Sequence, residues 1–274
     1  MINFPGLNLS FNVKKIAFSI CGIDVYHYAI CIVSGIILAM FLSYKSKEKF
    51  GIKFEFLLES MMHAIIIGFI GARIYYVTFN YKKYITSPIS ILNLRDGGLA
   101  VYGGLIFGAI VIINRCKKNS INFLDFFDYI APFISLAQSI GRWGNFFNVE
   151  AYGTETTNIF RMGINTLNGY QEVHPAFLYE SISTLVIFIV LRISQKNRKF
   201  KGEISYLYLF FYSGIRMLIE GVRIDSLRVK NFRISQILSV AIFVVSGIML
   251  LKNYIKYISR NIQGRKWGKK SIKN

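Results

Sequence analysis

Seven stretches of this chain are apolar for about the length a helix needs to cross a bilayer, roughly 20 residues. They fall at about 25–44, 56–79, 99–113, 123–140, 175–193, 204–222 and 234–255. The third and fourth are the weakest, being short or rich in glycine and polar residues. Within lipid a backbone must satisfy its own hydrogen bonds, which leaves helices and closed barrels, and no alternating barrel pattern appears. The expected fold is therefore all-α: one polytopic membrane domain over residues 1–274, with seven transmembrane helices and no internal repeat. A hydrophobic content of 53% agrees with this, as does a mean hydropathy of +0.42. Residues 1–11 lack the basic n-region of a signal peptide, so the first block is read as a retained helix.

A net charge of +19 raises nucleic acid as a partner, but the distribution of the charge opposes it. Lysines and arginines gather in alternate connections: Lys45 to Lys53, Arg115 to Lys118, and Arg192 to Lys201. More follow from Lys252 to Lys273, while the opposite connections hold Glu150, Glu155, Glu172 and Asp225. The positive-inside rule then places the N-terminus outside and the C-terminus in the cytoplasm. A basic tail over about 256–274 neutralises anionic membrane lipid at the inner face. The expected partners include membrane lipids and exclude nucleic acid. Three cysteines without a C-x-x-C spacing and three scattered histidines give no metal site.

Against that apolar background the polar motifs stand out, and all of them lie at the outer ends of spans or just beyond. Gly141-Arg-Trp-Gly-Asn-Phe-Phe-Asn-Val-Glu-Ala-Tyr-Gly153 closes the fourth span and opens an external head over about 142–174. Charged side chains at membrane depth cost roughly 2.5–3.5 kcal/mol each on insertion scales, so Arg142, Asn145, Asn148 and Glu150 together point to a shared polar site. The bland alternative is a hydrogen-bonded turn that caps the span. Tyr212, Arg216, Glu220 and Arg223 recur at helical spacing within roughly an 80° sector of the sixth span. Arg216 and Glu220 can pair along that helix. A buried ion pair fixing helix register is the competing account, yet the second arginine leaves a positive balance that an anion would neutralise. The planar guanidinium fork suits phosphate. Arg73 sits near the outer end of the second span, where snorkelling to headgroups would also explain it. Tyr102 opens the third span beside glycines whose spacing, Gly104 to Gly108, favours close helix packing. His174, ahead of Pro175 and the run to Glu180, can cap or bridge loops.

Taken with Arg73 in Gly71-Ala-Arg, the double-glycine segment, the His-Pro…Tyr-Glu motif and the Tyr…Arg…Glu…Arg face, the Gly141–Gly153 run resembles the signature of the prolipoprotein diacylglyceryl transferase family. The resemblance spans nearly the whole chain. It implies a seven-helix enzyme of the bacterial cytoplasmic membrane, with its site toward the outer leaflet and no metal or organic cofactor. The implied substrates are phosphatidylglycerol and the lipobox cysteine of preprolipoprotein signal peptides. The implied products are a thioether-linked lipid and glycerol 1-phosphate. On this reading Arg142 and Arg216 hold the phosphate, with Arg73 or Arg223 in support. Asn145, Asn148, Glu150, Gly153 and His174 shape the substrate site, Tyr26 and Tyr212 line it, and Glu220 orients Arg216. Many members of the family carry a histidine, often proposed as the base, where this chain has Tyr102. Tyrosine, with an ordinary pKa near 10, is a poor base at neutral pH, and a free thiol already titrates near 8.5. Tyr102 as an orienting hydrogen-bond group, His27 or His174 as the base, and a thiol pKa lowered by the arginines all remain open, the first being favoured. A transporter or flippase for an anionic substrate is the competing function.

Overall fold

The computed structural model describes residues 1–46, 49–85, 87–93, 97–166, 169–224, 228–229 and 232–271. It opens with four short strands, β1 (Ile2–Phe4), β2 (Leu9–Phe11), β3 (Ile16–Ile20) and β4 (Ile23–Tyr26). The helices α1 (His27–Lys45), α2 (Phe54–Phe79), α3 (Tyr81–Ile85), α4 (Val101–Lys118), α5 (Phe123–Gly141) and α6 (Trp143–Asn148) follow. After β5 (Met162–Thr166) and β6 (Gly169–Val173) come α7 (Ala176–Ser194) and α8 (Glu203–Val222). A two-residue ladder of β7 (Arg228–Val229) and β8 (Phe232–Arg233) leads into α9 (Ile234–Ser271).

Each of the seven apolar blocks holds a helix: α1, α2, α4, α5, α7, α8 and α9. Among the described residues four are long and apolar enough to cross a membrane: His27–Lys45, Phe54–Phe79, Ala176–Asn197 and Ile234–Ile262. The remaining three carry charge within their length: Arg115 and Lys117 in α4, Asp125 and Asp128 in α5, Arg216 and Glu220 in α8. The protein is thus mostly helical and membrane-spanning, but it is not all-α. An antiparallel sheet in the order β2-β1-β5-β6 underlies the head, with Ile2 opposite Ile164 and Met162 opposite Val173. Strands of three to five residues carry too few alternations to register as a pattern, and β1 meets β5 from the far end of the chain. The basic tail continues the helix of α9 as far as Ser271.

The chain divides into two compact units, Met1–Leu42 with Ile130–Asn274, and Ser43–Tyr129. In the first, Ile2, Phe4, Phe146, Met162, Ile164, Val173 and Phe177 form a buried apolar cluster that joins the sheet to α6 and α7. Helices α5 and α7 are laced by small hydroxyls. Ser139 Oγ donates to Ser181 O and Ser181 Oγ to Ser139 O, both at 2.8 Å, and Ser135 Oγ donates to Thr184 O at 2.7 Å. Small residues let backbones approach closely and their hydroxyls bond across. In the second unit α2 and α4 pack through glycines: a Cβ on Gly103 would lie 2.6 Å from Gly71 O, and one on Gly68 3.1 Å from Gly104 O. At the far end of that pair Arg115 donates to Ser60 Oγ at 3.0 Å and to Glu59 at 2.6 Å.

Candidate active site

The lacing of α5 to α7 fixes where the signature begins. Arg142 follows Ser139 by about one helical turn and Glu180 precedes Ser181, so the two side chains meet: Arg142 Nη2 donates to Glu180 Oε1 at 2.5 Å. From α8, Arg216 Nη1 donates to Glu180 Oε2 at 3.1 Å, and Tyr212 OH donates to Oε1 at 3.3 Å. Glu180 is 2% exposed. One buried carboxylate therefore joins two arginines from separate elements and fixes both guanidinium planes. Arg216 Nη2 also lies 2.7 Å from Glu220 Oε2, the i,i+4 pair the spacing predicts. Arg233 donates to the Glu220 carbonyl. Beneath this network Tyr208 stacks parallel to Tyr212 at 5.7 Å and donates to Gln138 at 3.0 Å.

Electrostatically the cluster favours an anion. Among the described residues Arg142, Arg216 and Arg223 confront the two carboxylates Glu180 and Glu220. Arg223 lies just past the end of α8. Burial first, and then the positive field of Arg216, push its pKa down.

The rest of the signature folds into a tight corner. Helix α6 ends at Val149, which adopts φ +55°, an uncommon conformation for a β-branched residue. Ala151 follows at φ +57°. This reversal carries Glu150 back over α6, where Asn145 Nδ2 and Asn148 Nδ2 donate to its Oε1 at 2.9 and 3.3 Å. A Cβ on Gly144 would lie 2.6 Å from the ring of Tyr28, so the signature's second glycine admits that tyrosine. Gly153 runs as a strap between α7 and α8. Its N–H donates to His174 O at 2.8 Å, and Thr154 N donates to Val222 O at 2.8 Å. A Cβ there would meet His174 Cβ at 2.7 Å and Val222 O at 3.0 Å.

Most of the residues singled out in the sequence are thus gathered in the first unit: Arg142, Asn145, Asn148, Glu150, Gly153, Tyr212, Arg216, Glu220 and Arg223. His174 joins them through its carbonyl and places Nδ1 3.2 Å from Tyr179 OH. Tyr26 ends β4 and is 46% exposed, and Tyr28, two residues on and in the first turn of α1, lies against the signature. Tyr102 and Arg73 belong to the second unit. All the guanidinium donors of Arg73 bond to backbone carbonyls. Glu180 is the residue without an assigned role in the sequence reading. Its signal was an acid inside an otherwise apolar helix, which requires a partner.

The model of the family described as prolipoprotein diacylglyceryl transferase matches residues 15–252. Proteins named phosphatidylglycerol–prolipoprotein diacylglyceryl transferase are similar along almost their full length. That of Clostridium novyi is 42% identical over 254 residues, covering 89% of this chain and 97% of its own. That of Finegoldia magna is 40% identical over 250 residues, covering 91% and 99%. The Enterococcus faecalis protein is 40% identical over 270 residues, covering 93% and 97%. With matches of this extent, the chain belongs to the prolipoprotein diacylglyceryl transferase family.

Proposed function

We propose that this chain transfers the diacylglyceryl group of phosphatidylglycerol to the thiol of a lipobox cysteine in preprolipoproteins, at the outer leaflet of the bacterial cytoplasmic membrane. The sulfur attacks the glycerol carbon that bears the phosphate. The C–S bond forms, the C–O bond breaks, and its electron pair passes to the phosphate oxygen as glycerol 1-phosphate leaves. The thiol loses its proton, while the phosphate goes from one negative charge toward two. That growing charge is what the protein has to stabilise, and fixed cationic donors do so without reorganising.

The observation that carries the reading is the Glu180 bridge. Two arginines held by one carboxylate, 2.5 and 3.1 Å from its two oxygens, present a preset pair of guanidinium groups suited to a phosphate. Arg223 adds charge beside them. Asn145 and Asn148, aligned by Glu150, offer amide groups for the ester and hydroxyl portions of the lipid, with Tyr26 and Tyr212 lining the site and Tyr28 packed against the signature. Tyr102 serves as an orienting hydrogen-bond group, and the nucleophile comes from the substrate.

Reconstitution tests the assignment. Purified protein in vesicles containing labelled phosphatidylglycerol and a lipobox peptide is expected to yield a thioether-linked lipid, and the same peptide with serine for cysteine is expected to yield none. Arg142→Lys and Arg216→Lys keep the charge but lose the planar fork, so each should cut turnover by roughly 10²-fold. Folded wild-type protein that makes no thioether product would sink the transferase reading.

A further inference from the structure

A guanidinium has five N–H groups, and in Arg73 each is matched to a different backbone carbonyl. Nε donates to Ile91 O at 2.8 Å. Nη1 donates to Gly97 O at 2.7 Å and Gly98 O at 2.9 Å. Nη2 donates to Ser90 O and Asn93 O, both at 2.9 Å. The side chain is 7% exposed, and its Cζ lies 5.4 Å from the centre of the Tyr84 ring, a cation–π contact. A buried charge requires compensation, and here the compensation is a ring of carbonyl dipoles.

The loop is built around that ring. Gly97 and Gly98 take φ +75° and +87°, which only glycine adopts readily, and so turn their carbonyls onto Nη1. A Cβ on Gly98 would lie 2.4 Å from Nη1 and 2.8 Å from the Tyr76 ring. Directly after the glycines Ala100 N donates to Ala72 O at 3.1 Å, and Ala100 is the N-cap of α4. Arg73 and Ala72 thus hold Ser90 to Asn93 and Gly97 to Ala100 against the end of α2 and set the point where α4 starts. Tyr102 lies in the first turn of α4.

We propose that Arg73 is a positioning residue. It holds the carbonyls of Ser90, Ile91, Asn93, Gly97 and Gly98, sets the start of α4 and with it the position of Tyr102 in the first turn of that helix, and makes no contact with the lipid phosphate. The role rests on the transferase reading given above. Its chemical requirement is a rigid fork with five donors, which lysine, with three donors on a flexible stem, cannot reproduce.

The test separates positioning from phosphate binding. Arg73→Lys and Arg73→Gln, in full-length protein reconstituted with phosphatidylglycerol and lipobox peptide, should lower kcat by roughly 10²-fold, as a misplaced group does. The KM for phosphatidylglycerol should stay within about twofold. Hydrogen exchange at the Ala100 amide should quicken. Gly98→Ala retains the arginine but pushes the loop off it, and should give the same kcat-only loss. A KM that rises in Arg73→Gln and recovers in Arg73→Lys would show a phosphate ligand and overturn the proposal; an unchanged kcat in Arg73→Lys would overturn it as well. Wild-type protein that forms no thioether lipid would instead remove the transferase reading.

Discussion

Glu180 turns two isolated cations into one site. A lone arginine at membrane depth is costly and free to swing, whereas a carboxylate shared between Arg142 and Arg216 neutralises part of the charge and fixes both planes. Removing one partner of a buried pair costs about 3–5 kcal/mol, so Glu180→Ala tests folding as much as chemistry. Glu180→Gln is the sharper variant, because it keeps the volume and one acceptor. It leaves the cluster more positive, and the KM for phosphatidylglycerol should hold or fall. The guanidinium planes lose their common anchor, so kcat should fall by roughly 10²-fold. Steady-state transfer of labelled lipid reads both constants. An unaltered kcat would show that the arginines are held without it. The acid was visible in the sequence as a lone glutamate in an apolar helix. Its two partners were not, because α5, α7 and α8 become neighbours only through tertiary packing. The surroundings of Arg73 were hidden for a related reason: near a helix end it reads as a snorkelling cation, and the carbonyl ring around it depends on the positive φ of Gly97 and Gly98.

Between elements, the contacts that aim the chemistry are made by the smallest residues. Serines lace α5 to α7, glycines join α2 to α4, and Gly153 threads between the start of α7 and the end of α8. The helices themselves were legible, since each apolar block of about span length became one. The sheet of the head was not, because its strands are short and β1 pairs with a strand some 160 residues later in the chain. Gly153 shows how closely such joints are cut. Alanine there would push against both His174 and the Val222 carbonyl, and overpacking of this kind costs roughly 1–3 kcal/mol. Gly153→Ala should therefore lower the Tm and depress transfer through displacement of α8, which carries Arg216. Gly221 provides the control, since a Cβ there meets no atom within 4 Å. Gly221→Ala should leave transfer intact and stabilise α8 by up to about 1 kcal/mol. Thermal unfolding in detergent together with activity in vesicles distinguishes the pair, and a Gly153→Ala protein as stable and active as wild type would mean the strap tolerates displacement.

At the scale of the whole molecule, everything depends on which side of the membrane the arginine cluster faces. The charge pattern argues for the outside. Lys and Arg collect between α1 and α2, at the end of α4, between α7 and α8 and along the end of α9, all on one side if those helices span. The signature, the head sheet and the β3–β4 hairpin then share the other side. This arrangement also suits the proposed acceptor, because the lipobox cysteine of an exported precursor would be presented on the outer side. The hairpin offers a native reporter: Cys21, exposed at its tip, occupies the turn at φ +50° with Gly22 at φ +77°. In a Cys31→Ser, Cys116→Ser background, a membrane-impermeant maleimide should label Cys21 in intact cells. A cysteine substituted for Ser271, with Cys21 also replaced by serine, should label only after permeabilisation. The reverse pattern would put the arginine cluster in the cytoplasm, away from the proposed exported acceptor, and would require both the topology and the proposed leaflet to be inverted.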